Sequence, residues 1–516
     1  MTAARLRRLR PGAAVLLATL ALVSSRDPRI DGAATSSISQ LAPTYELILN
    51  TRFDQAEQAL RACAPAPAQA CRVLQASALW WRILLNPNDT AYDQTFRTTV
   101  DAAIAGAEAW TTREPQRADA WFFLGAAYGA RVSFRVQRGE RLPAARDGKR
   151  IKESLERALE LDPHMDDARF GIGLYKYYAD IAPAAAKFLR FLLLLPGGDR
   201  VQGLKDMETV HERGTLLRGE ADYQLHWIYL WYENQPKRAL DLLNGLRNRY
   251  PANPHLAMRA GEIEDQYFHD AGASLGVWQA LADGAARTGD PVLSEAAGRM
   301  GAAMQLNALD ETDRGVTELD TVIAMAPARP FGAMARARWL RGTLLDRLGQ
   351  RQAAVDAYKS ALAGVPPGDP DGIADKARAG LRTTPDPAAG EAYRTSLVGW
   401  RAFERGALDE ADAALGQAAT RAPRDQVIQV RRARVRQARG DASSALQTYD
   451  AIIATRPQAS PIALAAAYAW SAEVFEARGD PQTARARYRS ATHVFAADSR
   501  LQRECRRALD RLGTKQ

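Results

Sequence analysis

The residues that could do chemistry in this 516-residue chain are sparse and badly spaced for it. The six histidines are His164, His211, His226, His255, His269 and His493, and none has a partner at metal-ligand spacing. A zinc-hydrolase helix would need a histidine four residues after His211-Glu212-x-x begins, and Thr215 stands there. Gly171-Ile172-Gly173 follows no strand, so it does not open a dinucleotide loop. The strained Gly-x-Ser-x-Gly turn that presents a nucleophilic serine is absent. The acidic groups Asp166-Asp167 and Glu262, Glu264, Asp265 read as solvated helix ends. His226, between Leu225 and Trp227, reads as a core or groove histidine, with no nucleophile beside it to make a hydrolase. The expectation is therefore no catalytic residue, no cofactor and no metal, hence not an enzyme.

What positions side chains here is a repeat. Gly349, Ala354, Tyr358, Ala361 and Pro366 recur as Gly406, Ala411, Leu415, Ala418 and Pro423. They recur again as Gly440, Ala445, Tyr449, Ile452 and Pro457, and as Gly479, Ala484, Tyr488 and Ala491. The steps are five, four, three and five, and Gly406 to Gly440 is 34 residues. The pattern fits antiparallel helix pairs. Glycine ends the first helix with positive φ, a small alanine lets the axes approach, an aromatic or leucine fills the groove, and proline stops the second helix.

Upstream, Trp121, Leu124, Gly125 and Tyr128 form W-x2-L-G-x2-Y, and Ala158-Leu159-Glu160-Leu161-Asp162-Pro163 closes that repeat. Tyr223, Leu230, Ala239, Leu243 and Pro251 make a weaker copy. On these residues the chain resembles the tetratricopeptide-repeat proteins across most of 40–512. The resemblance implies an all-α solenoid of antiparallel helix pairs wound as a right-handed superhelix, in an exported bacterial member of the family. It also implies an inner face made by the first helix of each pair. Carried over through the glycine and alanine register, that face comprises Phe122, Trp231, Trp339, Thr343, Ser396, Trp400, Phe403, Arg434, Glu473 and Glu476, with Arg336 alongside. These aromatics either receive a partner or pack between adjacent repeats. The family's lysine-and-asparagine clamp for a terminal carboxylate is missing here, so capture of C-terminal peptides is not implied. Val132 to Lys149 reads as an insertion between two helices, and Ile181 to Arg200 as an interruption of the next repeat. Within the latter, the apolar run Phe188 to Leu195 resembles a variant found in bacterial envelope repeat proteins. It is too short to span a bilayer. It fits either a buried helix or a contact surface, for a partner or for a membrane with Lys187 and Arg190 at the headgroups.

The N-terminus has a basic stretch (Arg5, Arg7, Arg8, Arg10), an apolar stretch Ala13 to Val23, and small residues before Ser25. That is the pattern of an export signal at 1–25, either cleaved or retained as an anchor. The expected location is the periplasm or cell envelope. In an oxidising compartment Cys63 and Cys71, flanking a short proline-rich turn, are expected to form a disulfide, the alternative being two separate buried thiols. The net charge of +9 is carried by arginine, with Arg421, Arg424, Arg431, Arg432, Arg434, Arg436 and Arg439 clustered opposite Asp425 alone. Such a face suits an acidic peptide, anionic lipid or glycan, or a solvated surface; export argues against nucleic acid.

The organisation read from these signals is a signal at 1–25 and a flexible tether at 26–40. An irregular helical block covers 41–366, a hinge 367–388, and a regular block with a capping helix 389–512. The functional expectation is a non-enzymatic scaffold that binds a protein or peptide partner. The alternative is an accessory factor for outer-membrane or envelope-polymer biogenesis, touching lipid or anionic glycan through Arg431, Arg432, Arg436 and the apolar run.

Overall fold

The computed structural model describes residues 36–181 and 197–513; the signal segment and Phe188–Leu195 lie outside them. Among the described residues there are helices and turns but no strand. The chain forms two compact units that divide at 256/257. The first carries α1 (Ser37–Leu49), α2 (Phe53–Ala62), α3 (Ala68–Leu85), α4 (Asp93–Arg113), α5 (Ala118–Gln137), α6 (Arg141–Leu161), α7 (Arg169–Ile181), α8 (Arg200–Arg213), α9 (Arg218–Trp231) and α10 (Pro236–Arg249). From α11 (Pro254–Gln266) the second follows with α12 (Ala271–Asp283), α13 (Pro291–Ala308), α14 (Thr312–Met325), α15 (Ala333–Arg347), α16 (Arg351–Ala363) and α17 (Ile373–Arg382). It ends with α18 (Pro387–Glu404), α19 (Leu408–Arg421), α20 (Gln426–Ala438), α21 (Ala442–Ala454), α22 (Pro461–Ala477), α23 (Pro481–Thr492) and α24 (Ser499–Gly513).

The hairpins α15–α16, α18–α19, α20–α21 and α22–α23 are antiparallel helix pairs that carry the repeat read from the sequence. Gly349, Gly406, Gly440 and Gly479 turn the chain at φ of 70°, 80°, 94° and 76°. Ala354, Ala411, Ala445 and Ala484 are fully buried where the axes meet. The groove-filling side chains insert against small residues of the first helix: a Cβ on Gly342 would lie 2.6 Å from the Tyr358 ring, and one on Gly399 2.8 Å from Leu415. Each buried ring of this size contributes roughly 1.5–3 kcal/mol. The tyrosine hydroxyls are satisfied twelve residues back, Tyr358 donating to Asp346 at 2.9 Å, Tyr449 to Gln437 at 2.8 Å and Tyr488 to Glu476 at 3.0 Å. Asp386 and Asp425 cap first helices, and Asp441 and Asp480 cap second ones, each accepting a backbone N–H of the first turn.

In the first unit α1–α2, α3–α4, α5–α6, α7–α8 and α9–α10 pair in sequence. Cys63 and Cys71 are disulfide-bonded across the α2–α3 turn. The end of α1 returns to the end of α10. Arg249 donates to Glu46 at 2.7 Å, Tyr250 to Glu46 at 2.9 Å, Thr51 to the Ala252 carbonyl and Asn253 to the Leu49 carbonyl, both at 2.7 Å. The second unit also meets itself: Arg500 of α24 donates to Glu311 at 2.7 Å, and Gly272 of α12 lies against Asp498 and Ser499. On its other side α24 buries Cys505, Ala508 and Leu512 against α22 and α23, as expected of a cap.

Three boundaries differ from the sequence reading. Ser36 is the N-cap of α1, so 36–40 begin a helix rather than end a tether. Val132 to Lys149 is no insertion: α5 and α6 simply run on as a long pair around Gly139, tied by Arg131 to Asp147 at 2.8 Å. The stretch 367–388 lies inside the second unit, and Ile373 and Ala377 of α17 bury into the α15–α16 core; the proline-rich turns mark corners there rather than a division between units.

Two opposite glycine substitutions check this account. Gly440 has room for a methyl but a left-handed backbone, so Gly440→Ala is expected to cost about 1 kcal/mol. Gly129 has room and sits inside α5, so Gly129→Ala is expected to gain about 0.5–1 kcal/mol in urea unfolding. Replacing both Cys63 and Cys71 by serine should cost about 2–3 kcal/mol, from the loop-entropy relation for so short a closure.

Candidate functional site

Trp400, Phe403 and Arg434 come together on the first helices α18 and α20, and α22 adds Trp470. Trp400 stacks on Phe403 at 4.9 Å and on Trp470 at 5.8 Å between ring centroids. Arg434 lies over Trp470 at 5.3 Å and pairs with Glu473. These aromatics keep one edge in the repeat cores and another partly open. Trp470 was not anticipated, although it sits nine residues before Gly479, as Arg431 does before Gly440.

The other expected contact residues are elsewhere. Arg336 is engaged by Asp371, and Lys376 stands 4.9 Å over the Trp339 ring, so the α17 corner covers the pair. Trp231 packs against Trp227 in the first unit, the rings tilted by 36° at 4.1 Å between centroids. Phe122 is fully buried and therefore not an open contact residue; it belongs to a cavity wall.

The arginine face is also corrected. Arg431 is 5% exposed, donates to the Asp310 carbonyl at 2.8 Å and lies 5.4 Å from the Trp400 ring, so it is no surface cation. Arg421 pairs with Glu391 at 3.3 Å and Arg439 with Asp409 at 2.8 Å, so acids of neighbouring helices oppose the cluster that Asp425 opposes alone in the sequence. The α13–α14 corner supplies further acids: Arg401 grips Asp313 at 2.8 Å, and Arg347 engages Asp310. Burial works against Glu311, but Arg500, Arg314 and Arg401 outweigh it and hold its carboxyl below the usual range.

In the first unit, α1, α3, α5, α6, α7 and α9 line a partly open cavity of about 150 Å³. Trp80, Phe122, Phe123, Phe170 and Leu174 form apolar walls; Ala126, Gly129, Ala130 and Ser133 along α5 leave the space, while Gly125 admits the Leu155 side chain. Two carboxylates line it. Asp167, read from sequence as solvated, is 4% exposed and fully used by the backbone N–H groups of Thr215, Leu216 and Leu217 at 3.0, 3.0 and 2.7 Å. Glu220, on the first turn of α9, is surrounded by protein but keeps an open side toward the cavity. Burial pushes its carboxyl up to about 7, against the opposing pull of Tyr45, Trp81 and Gln224. Tyr45 donates to it at 3.1 Å. No histidine, lysine or arginine lines this cavity among the described residues. His226 is buried beside it in sequence only, bonded to the Tyr223 carbonyl.

No group of three or more acidic, histidine or cysteine side chains is placed to hold a metal among the described residues, and no described helix is long and apolar enough to cross a membrane. No protein-family model and no curated protein matches the chain. Solved structures do align with it. One is a tetratricopeptide repeat protein from Parabacteroides merdae, 15% identical, covering 54% of this chain and 93% of that one at a TM-score of 0.25. The tetratricopeptide domain of P58(IPK) is 13% identical over 86% of this chain and 98% of its own, at 0.23. The human IFIT1 dimer with m7Gppp-AAAA is 11% identical over 82% and 90%, at 0.32. These superpositions are too loose to align side chains, and the repeat assignment rests on the hairpin geometry above.

The raised Glu220 predicts a pH effect of definite sign. The folded state holds this proton more tightly than the unfolded chain, whose carboxyl titrates near 4.5. The stabilisation is full below that value and is lost as pH rises through about 7. Glu220→Gln should therefore be more stable than the parent at pH 8, by up to about 2–3 kcal/mol, and no more stable at pH 4, in parallel urea titrations.

Proposed function

We propose that this chain is a non-enzymatic scaffold that works in the cell envelope and binds an extended segment of a protein partner on the second unit. The observation that carries the reading is the Trp400–Phe403–Trp470 stack with Arg434 at its side, partly open on the first helices of three successive pairs. Aromatic and arginine side chains at the centre of a contact provide most of its binding energy. The acidic corner at Asp310–Asp313 occupies Arg401 and Arg431 beside the stack, which leaves the aromatic rings as the open part, with Arg434 held at their edge by Glu473. The Cys63–Cys71 bridge supports an oxidising compartment, in keeping with the export pattern at 1–25. A lipid- or glycan-binding arginine face has less support, because Arg431 at its centre is buried.

The test is affinity purification of the tagged chain from gently solubilised envelopes, comparing the parent with Trp400→Ala/Trp470→Ala. A partner recovered in stoichiometric amount by the parent should fall at least ten-fold with the double variant, whose helical content stays that of the parent. Equal recovery would remove this face as the binding site.

A further inference from the structure

The first unit's cavity has a chemical character that scaffolding does not use. Its walls are mostly aromatic and aliphatic, and among the described residues two carboxylates, Asp167 and Glu220, line it beside neutral polar groups such as Ser77, Ser133 and Gln224. The partners of the Glu220 carboxylate are neutral donors: Tyr45 at 3.1 Å, with Trp81 and Gln224 acting on it as well. The Trp81 indole N–H, buried beside it, makes no hydrogen bond of good geometry. A carboxylate enclosed by apolar surface is costly unless a cation pairs with it. No cation lines the cavity among the described residues. The second carboxylate, Asp167, accepts three backbone N–H bonds, although burial outweighs them and raises its carboxyl, and these bonds tie it to the Thr215–Leu217 backbone. Anionic ligands thus meet like charge, whereas a cation with an apolar body meets both complements at once.

The empty volume is also built in rather than left by poor packing. Ala126, Gly129, Ala130 and Ser133 lie on one face of α5, and a Cβ added at Gly129 would meet nothing within 4 Å, whereas one at Gly125 would lie 2.7 Å from Leu155. Apolar cavities of roughly 150 Å³ accept a molecule the size of benzene. We propose that the first unit binds a small apolar amine, its hydrocarbon against Trp80, Phe170 and Leu174 and its ammonium on the Glu220 carboxylate. The ligand enters as the protonated amine, and no bond is made or broken. Tyr45 remains on one carboxylate oxygen while the ammonium takes the other, so the charge is shared between a neutral donor and a cation.

The experiment is calorimetric titration of the intact chain at pH 8 with hexylamine, hexanol and hexanoate, three ligands of one chain length and different heads. Hexylamine should bind at one site and at least ten-fold more tightly than hexanol, with no binding of hexanoate. Glu220→Gln should bring hexylamine down to the hexanol level and leave hexanol unchanged. Gly129→Leu should abolish binding of both by filling the space, with circular dichroism showing the parent's helical content. Quenching of Trp80 by the amine in the parent, and its loss in Gly129→Leu, places the ligand in the cavity by a second readout. Hexanoate binding as tightly as the amine would overturn the proposal. So would amine binding that survives both substitutions, or no saturable binding of any of the three by a folded chain.

Discussion

A helical hairpin buries one face within its own pair and must find a neighbour for the other. A row of hairpins therefore always leaves two raw ends. In this protein each unit brings its ends together. Glu46 of α1 takes Arg249 and Tyr250, and the backbone carbonyls of Leu49 and Ala252 receive Asn253 and Thr51. Buried backbone acceptors need such partners, so the seam specifies register as well as closure. In the second unit Asp498 and Ser499 at the start of the last helix lie against Gly272 of α12, and Arg500 beside them reaches Glu311. The cavity follows from the first closure, because Tyr45 on the first hairpin forms part of its wall beside Glu220. The acidic corner packed against Arg401 and Arg431 belongs with the second.

The hairpins were legible because their causes are local. A glycine with positive φ, an alanine at the close approach and a tyrosine in the groove act within one repeat, and each leaves a residue of distinctive type at a constant step. The seams left no such trace. Tyr250 and Glu46 are 204 residues apart, and nothing periodic connects them. Glycine and proline content misled at 367–388 for a physical reason: Pro366 to Pro370 is indeed a corner, but Ile373 and Ala377 just after it are an apolar pair on one side of a short helix, enough to dock it. The long α5–α6 pair was misread for the converse reason, since helices that exceed the repeat length look like an insertion when only the repeat template is compared.

The site was legible in the same partial way. The register places Trp400, Phe403 and Arg434 on first helices, and the structure has them adjoining. It places Arg336 and Trp339 equally well, but α17 then covers them with Asp371 and Lys376. Position in a repeat thus states which face a side chain occupies, not what else reaches that face. The cavity was invisible for a different reason. It is made by what Ala126, Gly129, Ala130 and Ser133 lack, and small residues on a helix are equally the mark of close packing, as Gly125 beneath Leu155 shows.

Charge shows the same limit most sharply. A formal +9 and an arginine run at 421–439 describe a basic surface, yet Arg431 is withdrawn beneath the Asp310 corner and Arg421 and Arg439 are answered by acids on other helices. In the second unit much of this positive charge is therefore structural, since it holds a corner and a cap in place. In the first unit the imbalance is reversed and local: among the described residues two carboxylates and no cation line an apolar chamber, Asp167 accepting backbone amides and Glu220 neutral donors. A net charge averages these two arrangements into one number. Their chemistry is opposite, because a buried cation already matched by its own chain has little left to give a partner, whereas a buried anion lacking a cation still has its strongest interaction to make.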